Sequence, residues 1–238
     1  GVDRIGSVVT SPQARHNPVR RDTVAQVRKM GAVSSLIPLY TDSEAVFDTL
    51  DYYRPDIVHF CDTLAGSGAA LEAALELQAA VKLRFAQIRI MRAIPIGRRA
   101  AACRASILAL AARLEPLSDL FLTDTVLASP SGAADLDQPV SGFVGITGLT
   151  CDWSVAADLV AQSRIPVILA GGISPQNVAA GIARVRPFGI DSCTCTNAVD
   201  RKGQPIRFKK EIARVRSLVA AVRTTDNQAP AVDSASAR

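Results

Sequence analysis

Three stretches of this chain carry residue types and spacings that could do chemistry. In "DLFLTDT", Asp124 follows an apolar run of strand character. A carboxyl at the end of a parallel strand projects into the mouth of the sheet, where partial loss of solvent raises its pKa enough for acid catalysis; an Asp so placed also serves as a helix cap or an ion-pair partner. In "PVILAGGISPQNV", Gly171 and Gly172 stand where a strand hands over to a helix, with Ser174 the expected N-cap and Pro175 the first helical position. Glycines let the backbone approach a ligand closely and the first amides of a helix bind phosphate, although a tight turn alone needs the same residues. In "GITGLTCDW", Gly145, Thr147 and Gly148 suit a loop that closes over substrate, and Asp152-Trp153 opens the next helix; a plain connector around one buried Trp has the same composition.

Short aliphatic runs must position these residues. Strands are expected at "IGSVV", "SSLIPLY", "DIVHF", "QIRIMRAI", "DLFLTD", "PVILAGG" and "GIDSCT", separated by Ala/Leu/Arg-rich stretches of helical period such as "RDTVAQVRKMG", "SGAALEAALELQAAV" and "RAAACRASILALAARLEP". That alternation is the pattern of βα units around a parallel sheet. Seven units are one short of the eight that close a TIM barrel, so the expected fold is an α/β, (β/α)8 barrel whose first strand and helix lie ahead of Gly1. Residues 1–223 form the expected barrel. Residues 224–238, polar and rich in Pro, Ala and Ser, are expected to be a disordered tail.

Composition narrows the function classes. With 48% hydrophobic, 21% charged and 5% aromatic residues, the 238-residue chain reads as one globular domain. No apolar run reaches membrane-spanning length and no secretory leader opens the chain, so a cytoplasmic location and no membrane partner are expected. The net charge of +5 is spread among acids, and the arginines Arg98, Arg99 and Arg104 read as solvated outer surface, so an anionic small molecule is expected in place of nucleic acid. Five cysteines, Cys61, Cys103, Cys151, Cys193 and Cys195, lack zinc or disulfide spacing. Neither a metal nor a cofactor is expected.

Taken together, "LFLTDT", "GITGLTCDW", "PVILAGGISPQNV" and "GIDSCTCTN" resemble, in order and at barrel spacing, the phosphoribosylanthranilate isomerase family's L-L-D-[ST], G-G-T-G-x-T-F-D-W, P-x-x-L-A-G-G-L-x-P-x-N-V and G-V-D-x-S-S-G-V-E. "GVDRIGSVV", "SPQARHNP" and "IMRAIPI" resemble its front half more loosely. The resemblance implies an aldose-to-ketose Amadori rearrangement of N-(5'-phosphoribosyl)anthranilate in tryptophan biosynthesis, without cofactor, by a monomer or homodimer. Asp124 matches the general acid, Arg15 the arginine at the anthranilate end, and Gly171 and Gly172 the phosphate-binding glycines. The family's general base is a cysteine in a K-x-C-G first strand outside this sequence, so the chain as given is expected to be inactive. Two departures bear on the pocket. "HFCD" places His59 and Cys61 where the family has Q-L-H-G, with a packed core histidine the plainer reading of His59, and "CTCTN" places Cys195 at a glycine and Asn197 at a glutamate. Cys195 is expected to narrow the phosphate cup, with the hydroxyls of Thr194 and Thr196 donating in its place. A different phosphosugar isomerase or epimerase, or a non-catalytic phosphometabolite-binding barrel, remains open.

Overall fold

A computed structural model describes residues 1–64, 68–127 and 140–228. Seven parallel strands, β1 (Arg4–Val9), β2 (Val33–Pro38), β3 (Ile57–Phe60), β4 (Arg89–Gly97), β5 (Leu120–Val126), β6 (Val167–Leu169) and β7 (Gly189–Ile190), lie side by side in sequence order in one sheet. Helices α1 (Pro18–Lys29), α2 (Ser43–Tyr53), α3 (Gly68–Arg84), α4 (Arg104–Leu114), α5 (Trp153–Gln162) and α6 (Val178–Val185) connect them, and α7 (Ile212–Gln228) follows. All seven expected strands are present.

Each element has a local cause. The strands are near-continuous apolar runs because both faces are covered. Ile57, Met91, Leu120, Leu122, Ile168 and Ala170 cluster together, while the alternate residues Val58, Phe60, Ile90, Phe121, Val167 and Leu169 pack in the layers shared with the helices. Side-chain caps start the helices: Asn17 accepts from the Arg20 N–H, Asp42 from the Ala45 N–H and Asp152 from the Ser154 N–H. The buried Gln78 on α3 donates to the Leu117 carbonyl at 3.0 Å, tying that helix to the start of β5.

The sheet curves until its two edge strands, β1 and β7, approach one another. They share no ladder; Arg4 of β1 instead spans the opening to Asp191, just past β7, at 2.9 Å. Outside the opening, α7 meets the start of the chain through the Arg223–Asp3 ion pair at 2.7 Å and through Val219 against Gly1. This helix runs to Gln228, past the Arg223 boundary expected for the domain, and residues 229–238 of the expected tail lie outside the described residues. Asn197–Val199 and Pro205–Lys210 form an antiparallel hairpin, β8 and β9, that the sequence reading did not anticipate.

Candidate active site

Asp124 stands near the carboxyl end of β5, and what surrounds it is the long connection to α5. Residues 140–144 of that connection cross the mouth of the sheet: the Thr63 N–H donates to the Gly142 carbonyl at 2.9 Å and the Val144 N–H to the Cys61 carbonyl at 2.8 Å, with a bridge between Asp62 and Phe143. The fully buried Arg92 anchors the far side, donating from Nη1 to the Asp62 carboxylate at 2.6 Å and from Nη2 to its carbonyl at 3.0 Å. Most of the Pro-rich segment before this crossing, residues 128–139, lies outside the described residues.

The loop then places Gly145, one of the glycines that sequence singled out, against Asp124 and rests directly on two others, Gly171 and Gly172. A Cβ on Gly145 (φ +98°) would overlap the Asp124 carboxyl, its Cγ only 2.9 Å away; one on Gly172 (φ +60°) would meet the Leu149 carbonyl carbon at 2.5 Å and the Thr150 nitrogen at 2.7 Å; and one on Gly171 (φ +87°) would strike the Thr125 hydroxyl. That hydroxyl donates to the Leu149 carbonyl at 2.6 Å. Gly171 and Gly172 are therefore glycines first because two backbone segments touch there.

A cavity of about 30 Å³ remains beneath the loop, lined by Asp124, Ile146, Thr147, Gly148, Ala170, Gly171, Gly172, Asp191, Cys193 and Thr194. It is the size of one or two waters. Burial pushes the Asp124 carboxyl up to about 7, with the neighbouring Asp191 charge acting in the same direction and the Thr125 N–H, 2.8 Å from Oδ1, opposing it. Asp191 carries the second carboxylate of the cavity, ion-paired to Arg4. One carboxyl is thus kept protonated to near neutrality and the other is held beside a guanidinium, the division of roles that acid–base catalysis uses.

Of the expected site residues, the structure brings Asp124, Thr147, Gly148, Gly171, Gly172 and Thr194 to one cavity and places Gly145 against Asp124. The others take different places. Arg15, at the end of a short 3-10 turn (Pro12–Ala14), is bound to the Asp48 carboxylate and donates to the Pro12 carbonyl at 2.7 Å, and it does not line the cavity. The Ser174 side chain makes no cap bond: α6 begins at Val178, whose N–H donates to the Ser174 carbonyl at 3.0 Å, and the Ser174 N–H is taken by Asn177 Oδ1 at 2.9 Å while Asn177 Nδ2 donates to the Gly172 carbonyl. Thr196 is buried, and its hydroxyl reaches back to the Ser192 and Cys193 carbonyls, which leaves Thr194 as the hydroxyl at the cavity. The wall here is Cys193; Cys195 does not line the cavity, so the expected narrowing of the cup by Cys195 does not occur. Asn197 is buried at the start of β8.

His59 and Cys61 both lie in the core. Burial, reinforced by the charges of Arg4 and Arg92 and opposed by Asp191, pulls the His59 imidazole down to about 4, so it stays neutral. Cys61 packs against Leu39, Ala93 and Val144 beneath the crossing loop, where burial and the charges of Asp124 and Asp62 push its thiol up. The sequence reading missed Asp191, Arg4 and Ile146. Asp191 was available by the rule that found Asp124, since it ends the run "GID" as Asp124 ends "LFLTD". Among the described residues no group of His, Cys, Asp and Glu is placed to hold a metal ion.

A curved parallel sheet with helices outside defines the class of a (β/α)-barrel, with a diglycine turn and a protonatable carboxyl at the carboxyl end of its strands. The family model of N-(5'-phosphoribosyl)anthranilate isomerase matches residues 84–220. Proteins of that name from Methanothrix thermoacetophila and Methanocella arvoryzae are similar to this chain: the first is 29% identical over 219 residues, 91% of this chain and 89% of that protein; the second is 31% identical over 145 residues, 61% of this chain and 55% of that protein. Among solved structures, phosphoribosyl anthranilate isomerase from Thermotoga maritima shares the fold with a TM-score of 0.63 at 17% identity, covering 94% of this chain and 89% of that one. The thiamine phosphate pyrophosphorylase of Pyrococcus furiosus shares it at 0.55 and 14%. The chain belongs to the N-(5'-phosphoribosyl)anthranilate isomerase family.

Proposed function

We propose that this chain carries the isomerase function of its family: the Amadori rearrangement of N-(5'-phosphoribosyl)anthranilate to 1-(2-carboxyphenylamino)-1-deoxyribulose 5-phosphate. Asp124 carries the reading. Opening the ribose ring needs a proton on the ring oxygen, and a carboxylic acid with a pKa of about 7 at the mouth of the barrel is poised to supply it. A solved relative, phosphoribosyl anthranilate isomerase with a TM-score of 0.62, was crystallised with reduced 1-(o-carboxyphenylamino)-1-deoxyribulose 5-phosphate; in this chain the Gly171–Gly172 and Cys193–Thr194 end of the cavity is the proposed phosphate site. Removal of the C2 proton requires a base. Burial raises the Cys61, Cys151 and Cys193 thiols, Cys151 to about 12, so none of them supplies it as a thiolate.

The reading includes a phosphorylated small-molecule substrate, no nucleic-acid partner, a cytoplasmic setting in keeping with five free thiols, and a monomer or homodimer; the relative from Thermotoga maritima is described as dimeric. No helix among the described residues is long and apolar enough to cross a membrane. The test is decay of substrate fluorescence, on the chain itself and on a version extended ahead of Gly1 by a strand bearing the K-x-C-G cysteine. Decay that Asp124→Asn abolishes supports the isomerase. A folded, extended protein that binds the reduced product analogue without turning substrate over favours the second reading, a phosphometabolite-binding barrel.

A further inference from the structure

Lys210 lies at the end of β9, far in sequence from the cavity, yet the hairpin returns it to the turn that forms the cavity wall. Asn197 faces Lys210 across the ladder, and the Glu211 N–H donates to the Thr196 carbonyl at 3.0 Å. From there the Lys210 ammonium donates to the Cys193 carbonyl at 2.7 Å, to the Thr196 hydroxyl at 3.0 Å and to the Ser192 carbonyl at 3.4 Å. In a planar trans peptide the N–H points opposite to the C=O. If the Ser192 and Cys193 carbonyls aim at Lys210, the N–H groups of the same two peptides, on Cys193 and Thr194, aim away from it, and those are the two residues of this turn that line the cavity. Neither N–H is engaged by another backbone group among the described residues, and the Thr194 hydroxyl, buried and without a partner, stands beside them.

The geometry points to Lys210 as a positioning residue for anion binding: by holding the carbonyls of the Ser192–Thr196 turn it presents the Cys193 and Thr194 amides and the Thr194 hydroxyl to the phosphate of the substrate, and its own charge stands behind them. This rests on the isomerase reading only for the identity of the anion. Two cations and two carboxylates act in opposite senses on this wall, since Lys210 and Arg207 favour negative charge at Cys193 while Asp191 and Asp124 disfavour it; Arg4 answers the Asp191 carboxylate, and Asp124 is protonated below pH 7. The turn achieves with an outside cation what a glycine in place of Cys195 would achieve by conformational freedom.

The experiment titrates inorganic phosphate, followed by phosphorus NMR line broadening, into the wild-type chain, Lys210→Met, Lys210→Arg and, as a charge control outside the cavity, Arg113→Met in the exposed Arg113–Glu72 pair, each checked by circular dichroism. Weakening of tenfold or more in Lys210→Met, substantial recovery in Lys210→Arg and unchanged affinity in Arg113→Met establish the role. If Lys210→Met does not fold, Lys210→Gln carries the test, because its shorter side chain with two N–H donors removes the charge and cannot serve the three acceptors that the ammonium holds. Equal phosphate affinity in wild type and the neutral variant overturns the inference and leaves the isomerase reading standing. Absence of phosphate binding by the wild-type chain overturns both.

Discussion

At the scale of single residues, two buried groups set opposing proton balances. Asp124 keeps its proton to about pH 7 in the folded chain but loses it near 3.8 when unfolded, so between those values the folded state holds one proton more and stability falls as pH rises. His59 stays neutral down to about pH 4 when folded but is charged below 6.5 when unfolded, so over nearly the same window the folded state holds one proton fewer and stability rises with pH. The wild-type profile is therefore expected to be flat between about pH 4.5 and 6.5. Asp124→Asn should leave a melting temperature that climbs with pH across that window, and His59→Gln one that declines; parallel profiles for the two variants would contradict the assignments. Asp56, Glu115 and Asp152, whose carboxyls are held low, contribute stability that is present above their unfolded values of 3.8 and 4.5 and is lost as pH falls below them. In turnover Asp124 acts only while protonated, so the rate constant kcat should fall about tenfold per pH unit above pH 7, and that limb should vanish with the residue.

At the scale of elements, the loop from Gly145 to Thr150 and the turn at Gly171–Gly172 are a matched pair. Gly172→Ala meets backbone atoms at 2.5 and 2.7 Å from a left-handed conformation, and a loss of about 1–3 kcal/mol is expected in a thermal melt. Gly145→Ala meets only the Asp124 carboxyl, but from a φ of +98° that alanine avoids, so it should lower kcat in addition to a stability loss of about 1–3 kcal/mol. Ile146, held at φ +62° over the cavity, is a β-branched residue in a region that such residues avoid. The strands that carry these loops were legible because each centres on a short apolar run, "LFL" in β5 and "VIL" in β6, between helical stretches. The β8–β9 hairpin was not, because "PIRFKK" offers only Ile206 and Phe208 as an alternating apolar pair and is exposed at all six positions. The helix after the diglycine was misplaced because Ser174-Pro175 is a stronger start signal than Asn177, yet Asn177 takes the Ser174 amide. Arg4 and Asp191 went unseen as partners because 187 positions separate them, and only sheet curvature joins them.

At the scale of the whole molecule, one side chain holds the curve. Arg4, of which 16% of the side chain is exposed, joins β1 to the segment after β7, and its Nη1 also reaches the Met91 sulfur at 3.2 Å. Arg4→Met should speed amide hydrogen exchange in β1 and β7 selectively, with β4 and β5, paired over seven positions, remaining the slowest to exchange. Arg223→Met removes an ion pair whose partners are 52% and 83% exposed and should change exchange little.

The seating of the loop on its glycines makes entry a matter of timing as well as affinity. A chamber that holds a water or two cannot admit a phosphorylated, ring-bearing molecule until the segment above it lifts, so the observed rate of association is expected to level off as ligand concentration rises, at the opening rate of that segment. In stopped-flow mixing the plateau should be the same for different ligands of the site, because it belongs to the protein. It should increase when Thr125→Val removes the hydrogen bond that holds the Leu149 carbonyl.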